Sequence, residues 1–120
     1  MDLRLQHMPF QFEGKQYILT CNMNVLADVQ EAFGGNLMAA LWRPSSLRAA
    51  MTFLAAMLND YADDQGWDEH WTAKEIGKHM GADPETVRTL TNEIGQFVRK
   101  SITTKPIEET EPEETAEKNE

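Results

Sequence analysis

From Ser45 and Ser46 to about Tyr61 the chain carries its longest uninterrupted helical pattern, with Leu47, Met51, Leu54, Leu58 and Tyr61 stepping by four and three. Residues so spaced share one face of a helix, and a face this apolar has to be buried. Ala49, Ala50, Ala55 and Ala56 border the stripe and let neighbouring helices come close, while Leu, Ala, Met and Arg favour the helix itself. Such a helix cannot stand alone. The remainder of the chain is therefore read as its cover.

Residues 3–12 place Phe10 and Phe12 on one side if extended, Glu13-Gly14-Lys15 is a turn signal, and Tyr17, Ile18, Leu19 and Thr20 follow. This reads as a β-hairpin, and two strands alone are marginal, so it must lie against helices. Asn22 or Asn24 caps the next helix, whose face is Val25, Leu26, Val29 and Phe33 and which Gly34-Gly35 ends, leaving Asp28 and Glu31 outside. A short turn of helix, Leu37 to Trp42, stops before Pro44. Asp60, Asp63 and Asp64 add negative charge to a helix carboxyl end, so the central helix is expected to fade over residues 59–66 and to leave a long acidic loop, residues 59–71, holding Trp67 and Trp71. Thr72 with Glu75 is a capping box for a two-turn helix closed by Gly81. Asp83 and Pro84 then open a last helix with Val87, Leu90, Ile94, Phe97 and Val98 inward and Arg99 and Lys100 at its end. The expected fold is mainly α, at most α+β: a small helical domain over residues 1–102 with a short amino-terminal hairpin packed on it.

Charge bears on function through its distribution. Residues 103–120 hold seven Glu against Lys105 and Lys118, a net of −5 within a total of −9, and hardly any apolar side chain. Burial there cannot offset the entropy of ordering, so a disordered acidic tail is expected. The balance argues against general binding to phosphate backbones or to an anionic membrane. Charges and Pro9 occupy the place where a signal peptide would need an apolar run, and no segment approaches the length of a membrane span.

No catalytic constellation is legible, and the expectation is a protein that is not an enzyme and needs no cofactor. His7, His70 and His79 do not fall at metal-ligand spacings, and the acidic residues 60–69 lack the spacing of a calcium loop. Cys21, at a strand end among apolar residues, reads as a buried small hydrophobe. Met51 belongs to the central stripe. Leu37, Met38, Leu41 and Trp42 make a segment apolar on nearly every side, more than one short helix needs. With the loop tryptophans Trp67 and Trp71 they are the candidate partner-binding residues, or a self-association patch.

Residues 72–98 also look like a helix-turn-helix, with Thr86, Arg88 and Thr89 at the reading end, which makes a DNA-binding regulator the alternative function. Against it, residues 72–100 carry Lys74, Lys78, Arg88, Arg99 and Lys100 opposed by Glu75, Asp83, Glu85 and Glu93, a net of only +1.

The order of parts resembles the tail assembly chaperones of long-tailed bacteriophages and prophages. Three pieces carry the resemblance: the hairpin around Glu13-Gly14-Lys15, the stretch from Asn24 through Asp28, Glu31 and Phe33 to Gly34-Gly35, and the Ala/Leu helix from Leu47 to Leu58. Trp71-Thr72-Ala73-Lys74-Glu75-Ile76-Gly77 is also similar to the family, whereas the acidic loop after Asn59 departs from it. The resemblance implies a non-enzymatic chaperone that coats the hydrophobic, helical tape measure protein before tail tube subunits polymerise around it. It implies many copies and self-association, residence in the host cytoplasm and absence from the finished virion. In many members a ribosomal frameshift makes a longer product that can meet the tail tube protein. Here Glu117-Lys118-Asn119 can be encoded GAA-AAA-AAC, which contains the slippery string A-AAA-AAC. That is a hypothesis about the gene, and GAG at Glu117 or AAG at Lys118 would sink it.

Overall fold

Glu13 and Gly14 both take positive φ, 51° and 78°, which makes them the two-residue turn that matches the twist of paired strands. They join β1 (Met8–Phe12) to β2 (Lys15–Leu19) in an antiparallel register that sets Phe12 opposite Lys15 and Phe10 opposite Tyr17. Alternation does the rest: Phe12, Tyr17 and Leu19 are buried while Gln11, Gln16 and Ile18 face out. A computed structural model describes residues 6–44 and 46–103, and in it the chain is mostly helical with this hairpin at its amino-terminal end. The helices are α1 (Met23–Ala32), α2 (Leu37–Trp42), α3 (Leu47–Gln65), α4 (Ala73–His79), α5 (Pro84–Arg88) and α6 (Gly95–Thr103). A π-helical turn, Thr89–Ile94, joins α5 to α6 without a break.

Helix starts are set locally. Asn22, Asn36, Ser46, Thr72 and Asp83 each accept a hydrogen bond from the backbone N–H three residues on, and the Thr72–Glu75 capping box is formed in both directions. Of the two asparagines considered for α1, Asn22 is the cap. Its Oδ1 accepts from Val25 N–H at 3.0 Å while its Nδ2 donates to Asp60 of α3 at 2.8 Å, so one side chain both starts α1 and ties it to the central helix. Ser46 caps α3; Ser45 lies outside the described residues.

Helix α3 is the centre of the fold, packed against α1, α4, the π-helical turn and β2. From Thr52 to Leu58 every residue is buried, so the helix is covered nearly all round rather than along one stripe. Leu47 corrects the expected stripe: it is 44% exposed, although Ala49 and Ala50 in the same first turn of α3 are buried, so the covered side of that turn is the alanine side. Met51 packs against the core and meets α4 where Gly77 has no side chain; a Cβ there would sit 3.3 Å from the Met51 sulfur.

Three further expectations are corrected. The central helix does not fade at residue 59. It continues to Gln65 and ends at Gly66 (φ 77°), where Trp67 N–H donates to Ala62 O at 2.8 Å in a Schellman closure. Ala62 is fully buried and Tyr61 packs against Tyr17 and Trp67, and this tertiary burial outweighs the unfavourable acidic charge at the helix end. The loop is therefore only Gly66–Thr72. Gly81 does not close α4 in the left-handed region; Met80 leaves the helix in an extended conformation instead. Gly81 makes room for a cap, since a Cβ on it would come within 2.8 Å of Asp83 Oδ1. Val87 is 37% exposed, so the inward face of the last helix is Leu90, Ile94, Phe97 and Val98. The π-helical turn shifts the phase of that face, and Thr91 Oγ1 donates to Val87 O at 2.9 Å within it.

Cys21 is buried as expected, and burial pushes its thiol up to about 12. Among the described residues no helix is long and apolar enough to cross a membrane. The acidic tail and the codons for residues 117–119 concern a part of the chain outside the described residues.

Candidate functional site

Helix α2 begins at Asn36, whose Oδ1 accepts from Ala39 N–H at 3.2 Å, and it ends at Arg43 before the buried Pro44. Its six residues split by face. Leu37, Ala40 and Leu41 turn inward, with Ala40 fully buried and the two leucines packed on the edge of the core. Met38 and Trp42 are one turn apart on the opposite side, 56% and 76% exposed. The excess of apolar residues noticed in this segment thus resolves into an anchoring face and a solvent-facing pair. Nothing polar is needed to hold the pair there: the inward leucines and the cap fix the helix, and the pair follows from the helical period.

The other two candidate tryptophans are placed differently. Trp67 sits edge-on to Tyr17 and Tyr61, with ring centroids 5.5 and 5.6 Å away, and Lys15 Nζ lies 4.7 Å above its ring. Trp71 meets Phe12 and His79, each at 5.1 Å. Both are half-buried seals between the hairpin and the Gly66–Thr72 loop. Glu69 joins them, taking hydrogen bonds from Lys15, from Tyr17 Oη at 2.7 Å and from Trp71 Nε1 at 3.4 Å. Burial alone would raise the Glu69 carboxyl, but these donors and the Lys15 charge outweigh it and hold it below its ordinary value. Tyr17 moves the other way: burial first, then the bond to Glu69, push its phenol up to about 12. Asn59 completes the loop's attachment by bracketing the Trp71 backbone, accepting from its N–H at 2.7 Å and donating to its C=O at 2.8 Å.

The residues of the DNA-binding alternative are occupied within the chain. Thr86 is held by Asp83 through both its backbone N–H and its hydroxyl, and Arg88 is bridged to Glu85 and, at 3.5 Å, to Glu93. Thr89 is half-buried at the start of the π-helical turn. The side-chain bond and charge of Arg88 hold the Glu85 carboxyl below its usual range, so the guanidinium that would meet a phosphate already has an acidic partner.

One concavity was not foreseen from the sequence. A cleft of about 530 Å³ opens between α1 and the residues leading into α4, with α3 as its floor. Thr52, Ala55 and Ala56 form that floor, and Asp28, Glu31 and Asp63 stand on its rim. Asp28 and Glu31 are neighbours by the helical period, a signal present in the sequence. Asp63 reaches the same rim only because α3 runs on to Gln65. Among the described residues no group of three or more His, Cys, Asp or Glu has the arrangement of a metal site. Comparison of the chain with protein-family models, curated proteins and solved structures finds no match.

Proposed function

We propose that this protein is a non-enzymatic chaperone that holds an apolar helical partner, and that its partner is a phage tape measure protein kept soluble for tail tube polymerisation. The observation that carries the reading is the solvent-facing pair Met38 and Trp42 on a helix whose other face is anchored in the core. A flexible thioether beside a large ring suits contact with varied apolar helices, as adaptable binding surfaces do. The resemblance over residues 24–35 and 47–58 supplies the identity of that partner. Many copies bound weakly and repeatedly along a long helix would shield it and still release it when tube subunits arrive. On this reading the protein acts in the host cytoplasm, self-associates, is left out of the virion, and reaches the tail tube protein through a frameshifted longer product. The test is the M38S/W42A variant. It is expected to unfold at the same temperature as the parent, since both side chains are exposed, and to lose capture of the tape measure protein on co-expression. Retention of capture would overturn the role of α2.

A further inference from the structure

Between Glu31 and Asp60 the chain holds no acidic residue and only two charged ones, Arg43 and Arg48. In a protein of net charge −9 this is a cationic island, and it coincides with the exposed apolar pair of α2. Arg43 follows Trp42 at the end of α2, and Arg48 follows the exposed Leu47 in the first turn of α3. The turn between the two helices is closed by Ser46 N–H, which donates to Arg43 O at 3.1 Å, and holds the buried Pro44. Met38, Trp42, Arg43, Leu47 and Arg48 are thus all exposed around one corner of the fold. Neither arginine is satisfied there: among the described residues Arg88 is bridged to Glu85 and Glu93, but no carboxylate lies within ion-pair distance of Arg43 or Arg48. Arg48 is also misplaced for its own helix. The amino-terminal turn of α3 carries partial positive charge and holds no acidic residue, so a cation there is mildly unfavourable to folding. A carboxylate from outside would be drawn by Arg48 and by the helix end together.

An occupant of this corner has to bring carboxylates for the arginines and apolar surface for Met38, Trp42 and Leu47 at once. Residues 103–120 carry seven Glu but only Ile107 and Ala116 as apolar side chains apart from proline, too few to cover those three. An anionic bilayer or a nucleic acid duplex extends far past two arginines and would meet the field of a chain at −9. A single amphipathic helix touches the corner alone and can carry acids beside its apolar stripe, where the forked guanidinium groups match them. Resting on the reading that α2 holds a helical partner, we propose that the partner helix is acidic along the border of its apolar stripe, with carboxylates on Arg43 and Arg48 and the stripe over Met38, Trp42 and Leu47.

The experiment titrates the full chain by calorimetry with one synthetic amphipathic helix made in three forms, its leucine stripe bordered by Glu, Gln or Lys, while amide chemical shifts are followed in parallel. The expected result is saturable binding of the Glu form that shifts Met38, Trp42, Leu47 and Arg48. The Gln form should bind roughly fivefold more weakly and the Lys form more weakly still, and the differences should shrink as salt rises. R43Q/R48Q should erase the preference, R43K/R48K should keep most of it, and K74Q/K78Q, which removes equal charge from α4, should bind as the parent does. R43Q/R48Q should keep its helical circular dichroism, because both residues are exposed, and R48Q alone should unfold no earlier than the parent. Equal binding of the three forms, lost in M38S/W42A, would overturn the acidic border and leave the chaperone reading in place. No binding of any form would overturn it as well, whereas the chaperone reading itself falls if M38S/W42A still captures the tape measure protein. Arginine-dependent binding to phosphatidylglycerol vesicles, tighter than to the Glu form, would overturn the helix as occupant in favour of a lipid surface.

Discussion

Tyr17 and Glu69 show how single side chains decide where the loop sits. Glu69 is below its ordinary value in the fold, so in that interval the unfolded chain binds more protons and stability rises with pH; this contribution is lost as pH falls through the folded value. Tyr17 has the opposite sign. Its phenol stays protonated up to about 12 against an ordinary 10.0, so its contribution is intact below pH 10.0 and disappears as pH rises through about 12. Tyr17→Phe should cost about 1 kcal/mol in urea unfolding. Subtracting its alkaline absorbance titration from the parent's should leave a step near pH 12; a step at the ordinary value would mean that the phenol is not sequestered. Cys21, with its thiol pushed to about 12, should resist thiol reagents at neutral pH until the protein is unfolded, and prompt labelling of native protein would contradict its burial.

At the scale of elements, what was legible in the sequence was whatever is decided locally. Caps at Ser46, Thr72 and Asp83 and the Glu13-Gly14 turn need only residues three apart or adjacent, and all of them form. The end of α3 was not legible, because the rings that hold Tyr61 in place come from Tyr17 in the hairpin and from Trp67 beyond the helix. The same holds for Trp67 and Trp71, whose partners Tyr17 and Phe12 lie far earlier in the chain, and for the cleft, whose rim joins two helices. The solvent-facing half of α2 was half legible: the excess of apolar residues was visible, but which of them face out depended on where Ala40 is buried. Two elements invite measurement. Asn59→Ala leaves the Trp71 N–H and C=O without partners and should cost about 2 kcal/mol, with hydrogen exchange at Trp71 accelerated. Asn59→Asp, which can still accept but not donate, should fall between the two. Thr72→Ala should cost about 1 kcal/mol, and an unchanged unfolding midpoint would show that α4 is held by Ile76 and its packing alone.

For the molecule as a whole, one buried helix organises everything else, and the described surface carries an apolar pair on α2 and an acidic-rimmed cleft over the middle of α3. The central claim is that the protein binds an apolar helical partner and keeps it soluble. The most direct measurement is co-expression with the tape measure protein encoded nearby, with co-purification and a duplex DNA titration on the same preparation. The account predicts a soluble complex that is indifferent to DNA and is lost in M38S/W42A. Absence of a complex, together with duplex binding that falls as salt rises and depends on Arg88, would contradict it and make the protein a DNA-binding regulator.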